Sequence, residues 1–246
     1  MDQLRFYNGA LKAEQVTELY NETAADNDDL TLGAPPETII SANANAGFSI
    51  VKYTGDGIAG KQVPHGLSAA PEMIIVKNLD NGTSNWAVYH SATGVNNVLF
   101  LNGTDAQTSV TGKWSGTNST VFGVNSAADV NQSGNEHIAY CFHSVAGYSK
   151  IGSYNGTSSS GNSVNVGFAP DWVLIKGVTA GSAWILHDNV RSDGTAHLRP
   201  NTSGAEDTGA NEQINFTSTG FSIRNSGATQ INTSGHTYIY AAFKIN

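Results

Sequence analysis

Hydrophobic and polar positions alternate in short bursts along most of this chain, and each burst ends in Gly, Asn, Ser or Asp. Alternation with period two predicts strands, because successive side chains of a strand point to opposite faces. Strands are predicted near 48–53, 72–77, 86–90, 97–102, 121–125 and 137–143, then near 148–154, 171–176, 183–187, 214–216, 220–224 and 237–244. Two runs, Met73 to Val76 and Trp172 to Ile175, are apolar without alternation, which predicts strands covered on both faces. Pro71 and Pro170 precede these runs, where a strand tolerates a residue without a ladder donor. Helical spacing is clear only near the start: Leu11, Val16, Leu19 and Tyr20 follow a strand-like stretch with Leu4 and Phe6.

The bursts are written twice. Asn131, Ser133, Gly134, Ile138 and Phe142 recur as Asn232, Ser234, Gly235, Ile239 and Phe243, each 101 positions later. Upstream, Ala70-Pro71 before Met73 answers Ala169-Pro170 before Trp172, Trp86 answers Trp184, and Phe122 answers Phe221. Ordered landmarks at one spacing mean a duplicated unit. The expected organisation is a strand and helix over 1–22, a linker over 23–46 and two repeats over 47–146 and 147–246. The fold class expected is all-β, two tandem sandwiches of about 100 residues each, jelly-roll-like, with one short N-terminal helix.

Composition agrees and narrows the function. Of 246 residues only 13% are charged, and 27 are Gly, a mixture suited to short strands joined by tight turns. The net charge of −8 and the lack of any basic cluster argue against nucleic acid and anionic membrane surfaces. No apolar run is long enough for a membrane-spanning helix and no leader is read, so membrane insertion is not expected. Cys141 is the single cysteine, so no internal disulfide can form, and a strand thiol reads as a buried packing residue. In the linker, Asp26, Asp28 and Asp29 offer clustered oxygen ligands, but the calcium-loop pattern lacks its Gly and closing Glu.

Seven histidines show no zinc spacing, and no metal or other cofactor is expected. His187-Asp188 and Tyr89-His90 follow the repeat tryptophans at equivalent places, read as surface or strand-end positions. Trp86 and Trp184 read as core rather than sugar-stacking platforms, because both copies carry them. Trp114 has no evident counterpart. It sits beside Lys113 in a 104–120 stretch of Thr, Ser, Gly and Asn, and a tryptophan on a polar loop is a candidate ligand contact. Arg191, His197 and Arg199 in the matching insert of the second copy, with His90 and His187, complete the candidate ligand-binding residues. No Gly-x-Ser-x-Gly elbow or embedded carboxylate pair marks a catalytic site, so no enzyme is expected.

Two resemblances add to this reading. Asp2, Arg5, Tyr7, Asn8, Leu11, Val16, Leu19 and Tyr20 resemble the last strand and helix of laminin-G-like (concanavalin A-like) domains, which implies that the chain continues a longer polypeptide. Residues 47–246, with His65-Gly66-Leu67 ahead of Met73 and Ile138-Ala139-Tyr140-Cys141-Phe142, are similar to a duplicated β-rich domain at the C-terminal ends of bacteriophage tail-fibre and tail proteins. The second copy departs from that pattern with Val166-Gly167-Phe168 and Ala241-Ala242-Phe243. The resemblance implies a receptor-binding module on the virion tail, made in the bacterial host cytoplasm. It would bind a host surface glycan or receptor as a homo-oligomer, a trimer, joined to other tail proteins through its N-terminus. A polysaccharide-degrading tailspike and a purely structural tail or decoration domain are the other classes. No catalytic residue is implied.

Overall fold

The computed structural model describes residues 38–245. The strand and helix read over 1–22 and the acidic trio Asp26, Asp28 and Asp29 lie outside the described residues. The first repeat comprises β1 (Thr38–Asn43), β2 (Phe48–Thr54), β3 (Lys61–Pro64), β4 (Met73–Asn78), β5 (Ala87–His90) and β6 (Asn97–Phe100). It continues with β7 (Thr108–Ser109), β8 (Trp114–Thr117), β9 (Val121–Val124), a single helical turn α1 (Ala128–Asn131) and β10 (Glu136–Phe142). The second comprises β11 (Ser149–Asn155), β12 (Asn162–Asn165), β13 (Trp172–Gly177), β14 (Trp184–Asp188), β15 (Ile214–Thr217), β16 (Gly220–Ile223), α2 (Thr229–Asn232) and β17 (Thr237–Phe243).

Each repeat is an antiparallel sandwich of one large and one small sheet. The large sheets run β1-β2-β10-β4-β5-β6-β7 and β11-β17-β13-β14; the small ones run β3-β9-β8 and β12-β16-β15. The duplication extends to register: Val51 faces Ala139 in the first copy and Gly152 faces Tyr240 in the second, both partners advanced by the same 101 positions.

The linker expectation fails over its last residues. Thr38 to Asn43 form an edge strand that pairs with β2 from Thr38↔Tyr53 to Asn43↔Phe48. Most of its side chains are exposed, so hydropathy gave no signal, and its β-branched Thr-Ile-Ile run fits a pleated edge. The second copy has no equivalent strand, because only residues 143–148 separate β10 from β11.

One corner is built identically in both copies and fixes the end of each sandwich. Tyr53 donates its hydroxyl to the Val130 carbonyl at 2.5 Å, and Tyr154 donates to Ile231 at 2.7 Å. Their rings stack on His137 and Tyr238, at 5.1 and 5.2 Å between centroids. Asn131 accepts from the Asp56 N–H and donates to the Ile58 carbonyl; Asn232 accepts from Thr157 and donates to Ser159. The chain passes so close that a Cβ on Gly55 would lie 2.3 Å from the Gln132 carbonyl oxygen, and one on Gly156 would lie 2.1 Å from that of Thr233. Only glycine fits there.

Three cores hold the molecule. Val51, Tyr53, Val76, Phe122 and Ala139 belong to the first sandwich, and Val173, Ile175, Phe221, Ile223 and Tyr240 to the second. A third joins the outer faces of the two large sheets through Met73, Val88 and Leu99 on one side and Leu174, Trp184 and Ile239 on the other. The result is four stacked sheets within one compact unit, Thr38–Asn246. This explains why β4 and β13 lack alternation: Ile74 and Ile175 face their own sandwiches, while Met73 and Leu174 face the partner repeat. Polar groups seal the joint. Trp184 donates its indole N–H to the Phe100 carbonyl at 2.9 Å, and the buried Lys176 ammonium donates to the Thr104 and Ser182 carbonyls at 3.1 and 2.6 Å. Cys141 is buried in the first core, where burial pushes its thiol up to about 12.

Candidate functional site

Trp114 and Lys113 do not form a ligand loop. Trp114 opens β8 opposite Val124, is buried, and meets Tyr89 edge-on at 5.8 Å between centroids. Its counterpart exists after all: Ile214 opens β15 opposite Ile223 and is equally buried. The 104–120 stretch reads as loop because Thr, Ser and Gly dominate it, yet its middle is a short edge strand whose inward residue is the tryptophan. Lys113 forms an ion pair with Asp129 and lies over the Phe100 ring, 5.4 Å from its centroid.

Four other expected residues, His187, Arg191, His197 and Arg199, do converge, on the segment between β14 and β15. Arg191 pairs with Asp188 at 2.6 Å and Glu206 at 2.7 Å, and Arg199 with Asp207 at 2.8 Å. Both arginines are thus committed within the fold. His187 and His197 are buried with ring centroids 5.7 Å apart, and Nδ1 of His187 donates to the Ala196 carbonyl at 3.2 Å. Burial first, then the His197 neighbour, brings His187 down to about 3; burial and Arg199 lower His197. Both rings are neutral at pH 7. The cluster is a clasp that closes a long insert, its arginines held by acidic partners of the same segment.

His90 lies apart, paired with Met73 on β4, and is fully buried. Its Nδ1 accepts the Ala92 N–H at 3.1 Å, and burial lowers it to about 4. The register sets Tyr89 against His187 and His90 against Asp188, as the pattern implied. Both histidines do stand at strand ends, but the expectation of a surface position is overturned, because both are fully buried.

A site that the residue types did not announce lies at the end of repeat 2. A cavity of about 280 Å³ is lined by Gly177 at the end of β13, Ala180, Gly181 and Ser182 of the turn that follows, Thr229 and Gln230 of α2, Thr233 and His236 of the turn after it, and Tyr238 of β17. It is near the lower end of the roughly 300–1,000 Å³ typical of small-molecule sites. The lining holds hydroxyls, a carboxamide and an imidazole, and no carboxylate, lysine or arginine.

The first repeat shows what normally fills this place. There Asn78 donates to the Ala128 carbonyl at 2.8 Å and accepts from the Asp80 and Asn81 N–H groups, each at 3.0 Å. Asn81 and Asn135 close the network by donating to Gln132 and Asn78. Register puts Gly177 where repeat 1 has Asn78, since these face Tyr238 and His137. At the matching positions Ala180 replaces Asn81, Thr233 replaces Gln132 and His236 replaces Asn135. Aligning the two copies residue by residue would have exposed this loss of side chain, which neither copy reveals by itself.

Among the described residues no group of His, Cys, Asp and Glu is placed to hold a metal ion. Comparison with curated proteins and with solved structures finds no match. The model of a family described as a domain of unknown function, DUF7483, matches residues 21–246. Both repeats fall inside that match, so the unit defined by the family is the duplicated one, and the chain belongs to the DUF7483 family.

Proposed function

We propose that this chain is a receptor-binding module of a bacteriophage tail fibre that recognises a host surface glycan without covalent chemistry. The observation that carries the reading is the cavity in repeat 2, with its uncharged hydrogen-bonding lining on a rigid four-sheet scaffold. Sugar rings present hydroxyls in fixed directions, and hydroxyl, carboxamide and imidazole groups answer them as both donors and acceptors. Glycoside hydrolysis needs two carboxylates flanking the bond, whereas this cavity has none in its lining. The likeness to tail-fibre C-terminal domains supplies the biological setting: a virion component, made in the bacterial cytoplasm and joined to other tail proteins through its N-terminus. One small cavity gives weak binding, and a trimeric fibre multiplies it, because linked sites raise avidity without new contacts.

The test is an array of bacterial surface polysaccharides probed with labelled protein, before and after mild periodate oxidation of vicinal diols. Binding to a subset of polysaccharides that periodate abolishes is the expected result. Binding confined to protein-bearing outer membranes and lost on protease treatment would replace the glycan with a protein receptor.

A further inference from the structure

We propose that copies of this chain join edge to edge, β1 of one copy adding to β11 of the next, so that their sheets run on into one another around a closed ring. The inference rests on the oligomeric part of the reading above and supplies its contact surface.

β1 is the outer strand of the seven-stranded sheet, and β11 is the outer strand of the four-stranded one. In an antiparallel ladder a residue gives both main-chain groups to one neighbour, and the next residue gives both to the other side. Gly156 bonds to His236 beyond the end of the β11–β17 ladder, so residues 150, 152 and 154 face β17 and residues 149, 151, 153 and 155 face away. His143 bonds to Gly47 beside β2 and β10, so Phe48, Ile50 and Lys52 face β1. Their partners Asn43, Ser41 and Ile39 therefore face β2, and Thr38, Ile40 and Ala42 turn their main-chain groups outward.

The chain covers its own edge at the start of β11, where Ser149 exchanges bonds with Val145 and the Ile151 N–H donates to the Ser144 hydroxyl at 3.0 Å. Further on, the Ile151 carbonyl, both main-chain groups of Ser153 and the Asn155 N–H have no partner among the described residues, while the Asn155 carbonyl accepts from Asn162 at 3.0 Å. Repeat 1 shows this place filled by a strand. There β1 lies on β2, and a Cβ on Gly66 would meet Ile40 and Ala42 at 2.9 and 3.0 Å. At Gly167, 101 positions later, nothing lies within 4 Å, and Tyr154 is half-buried where Tyr53 is buried.

The outer edge of β1 matches this open edge. Set antiparallel with Ile40 opposite Ser153, those two residues exchange both main-chain bonds, the Ala42 N–H donates to the Ile151 carbonyl, and the Asn155 N–H donates to the Thr38 carbonyl. Every open group of β11 is then taken. The same register sets Ile39, which is 53% exposed in the single chain, beside Tyr154 on its open side. β1 carries no charge, no proline and no bulge, the devices that otherwise keep an edge strand from pairing. A second copy is the occupant because each chain then gives one edge and takes one, and a head-to-tail contact of this kind closes into a ring. Pairing β11 with another β11 would leave the β1 edge and its isoleucines in solvent.

Disulfide trapping in the whole chain tests this, since the native Cys141 is buried and introduced thiols report alone. Directly opposed residues that exchange both bonds have Cα atoms about 5.5 Å apart, within reach of a disulfide. Ile40→Cys mixed with Ser153→Cys under mild oxidation is expected to give a covalent dimer holding one of each. The variant carrying both changes is expected to give a closed covalent species of the same mass as the wild-type oligomer in native mass spectrometry. Ile39→Lys, a charge placed on an exposed edge position, is expected to move sedimentation to the monomer, with circular dichroism and thermal unfolding as the control for folding. Cross-linking of Ser153→Cys with itself would overturn the proposal in favour of β11 on β11, and covalent species of unlimited size would overturn the closed ring. An oligomer that survives Ile39→Lys and traps in none of these variants would overturn the edge contact and leave the oligomeric reading standing. A wild-type chain that is monomeric at every concentration would overturn the oligomer itself, and neither result alters the outcome of the polysaccharide array.

Discussion

Asn131 and Asn232 carry more of this fold than their polarity suggests. Each is fully buried and ties the turn after β2 or β11 to the turn before β10 or β17. Removing one leaves main-chain donors and acceptors unpaired, which costs about 1–3 kcal/mol for each buried group. Asn131→Ala and Asn232→Ala are each expected to lower stability by about 2–4 kcal/mol in urea unfolding. A loss under 1 kcal/mol would mean that water replaces these bonds. Trp114 illustrates the same scale from the apolar side. Trp114→Ala is expected to cost about 3–5 kcal/mol, with ligand affinity of the folded fraction unchanged, because the indole packs on Tyr89. Weakened binding at full foldedness would return the tryptophan to the ligand site. Two of the fully buried histidines, His90 and His187, give a pH dependence. In the unfolded chain each titrates near 6.5, whereas the folded values are about 4 for His90 and about 3 for His187. Their folded-state pKa values are depressed, so the unfolded state binds protons first and stability falls as pH drops from about 6.5 towards 4. The slope is at most about 1.4 kcal/mol per pH unit for each histidine. A melting temperature that declines across that window, and less steeply in His90→Asn, checks it; a flat profile from pH 7 to 4 would contradict buried neutral rings.

Among the elements, β4 and β13 were the most legible, since an unbroken apolar run admits few alternatives to burial on both faces. What the run could not say was that the second face would be covered by the other repeat. The edge strand β1 was illegible for the opposite reason: its side chains are mostly exposed, and main-chain pairing leaves no trace in hydropathy. The short strands β3, β7, β8 and β12 were hidden in polar composition, and with β8 went the correct place of Trp114. Of the candidate residues, sequence grouped Arg191, His197 and Arg199 correctly by their shared insert but could not show that acidic partners already occupy them. The cavity left no motif, because it consists of side chains that are missing. Deleting β1 at the element scale is expected to cost stability through exposed edge donors of β2 while leaving the repeat 2 cavity able to bind, since no residue of β1 lines it. Loss of sugar binding in a folded β1-deleted chain would show that the repeats do not act independently at the site.

At the scale of the whole molecule the two repeats are bound by their outer sheet faces, with Trp184 and Lys176 from one repeat bonded to carbonyls of the other. Separating them would expose Leu174, Trp184 and Ile239 together, an apolar patch that an isolated sandwich would carry into solvent. Urea unfolding of the unit is therefore expected to follow a single transition by fluorescence and circular dichroism, and two resolved transitions would contradict a shared third core. The central claim concerns what this rigid pair presents at its end: a site that holds a glycan and leaves it intact. The most direct measurement is size-exclusion chromatography of a polysaccharide selected on the array, run with wild-type protein and with Gly177→Asn. Intact polysaccharide is expected to co-elute with wild-type protein and to separate from the folded Gly177→Asn variant. A shift of the polysaccharide to smaller size would contradict it and identify a degrading enzyme in place of an attachment module.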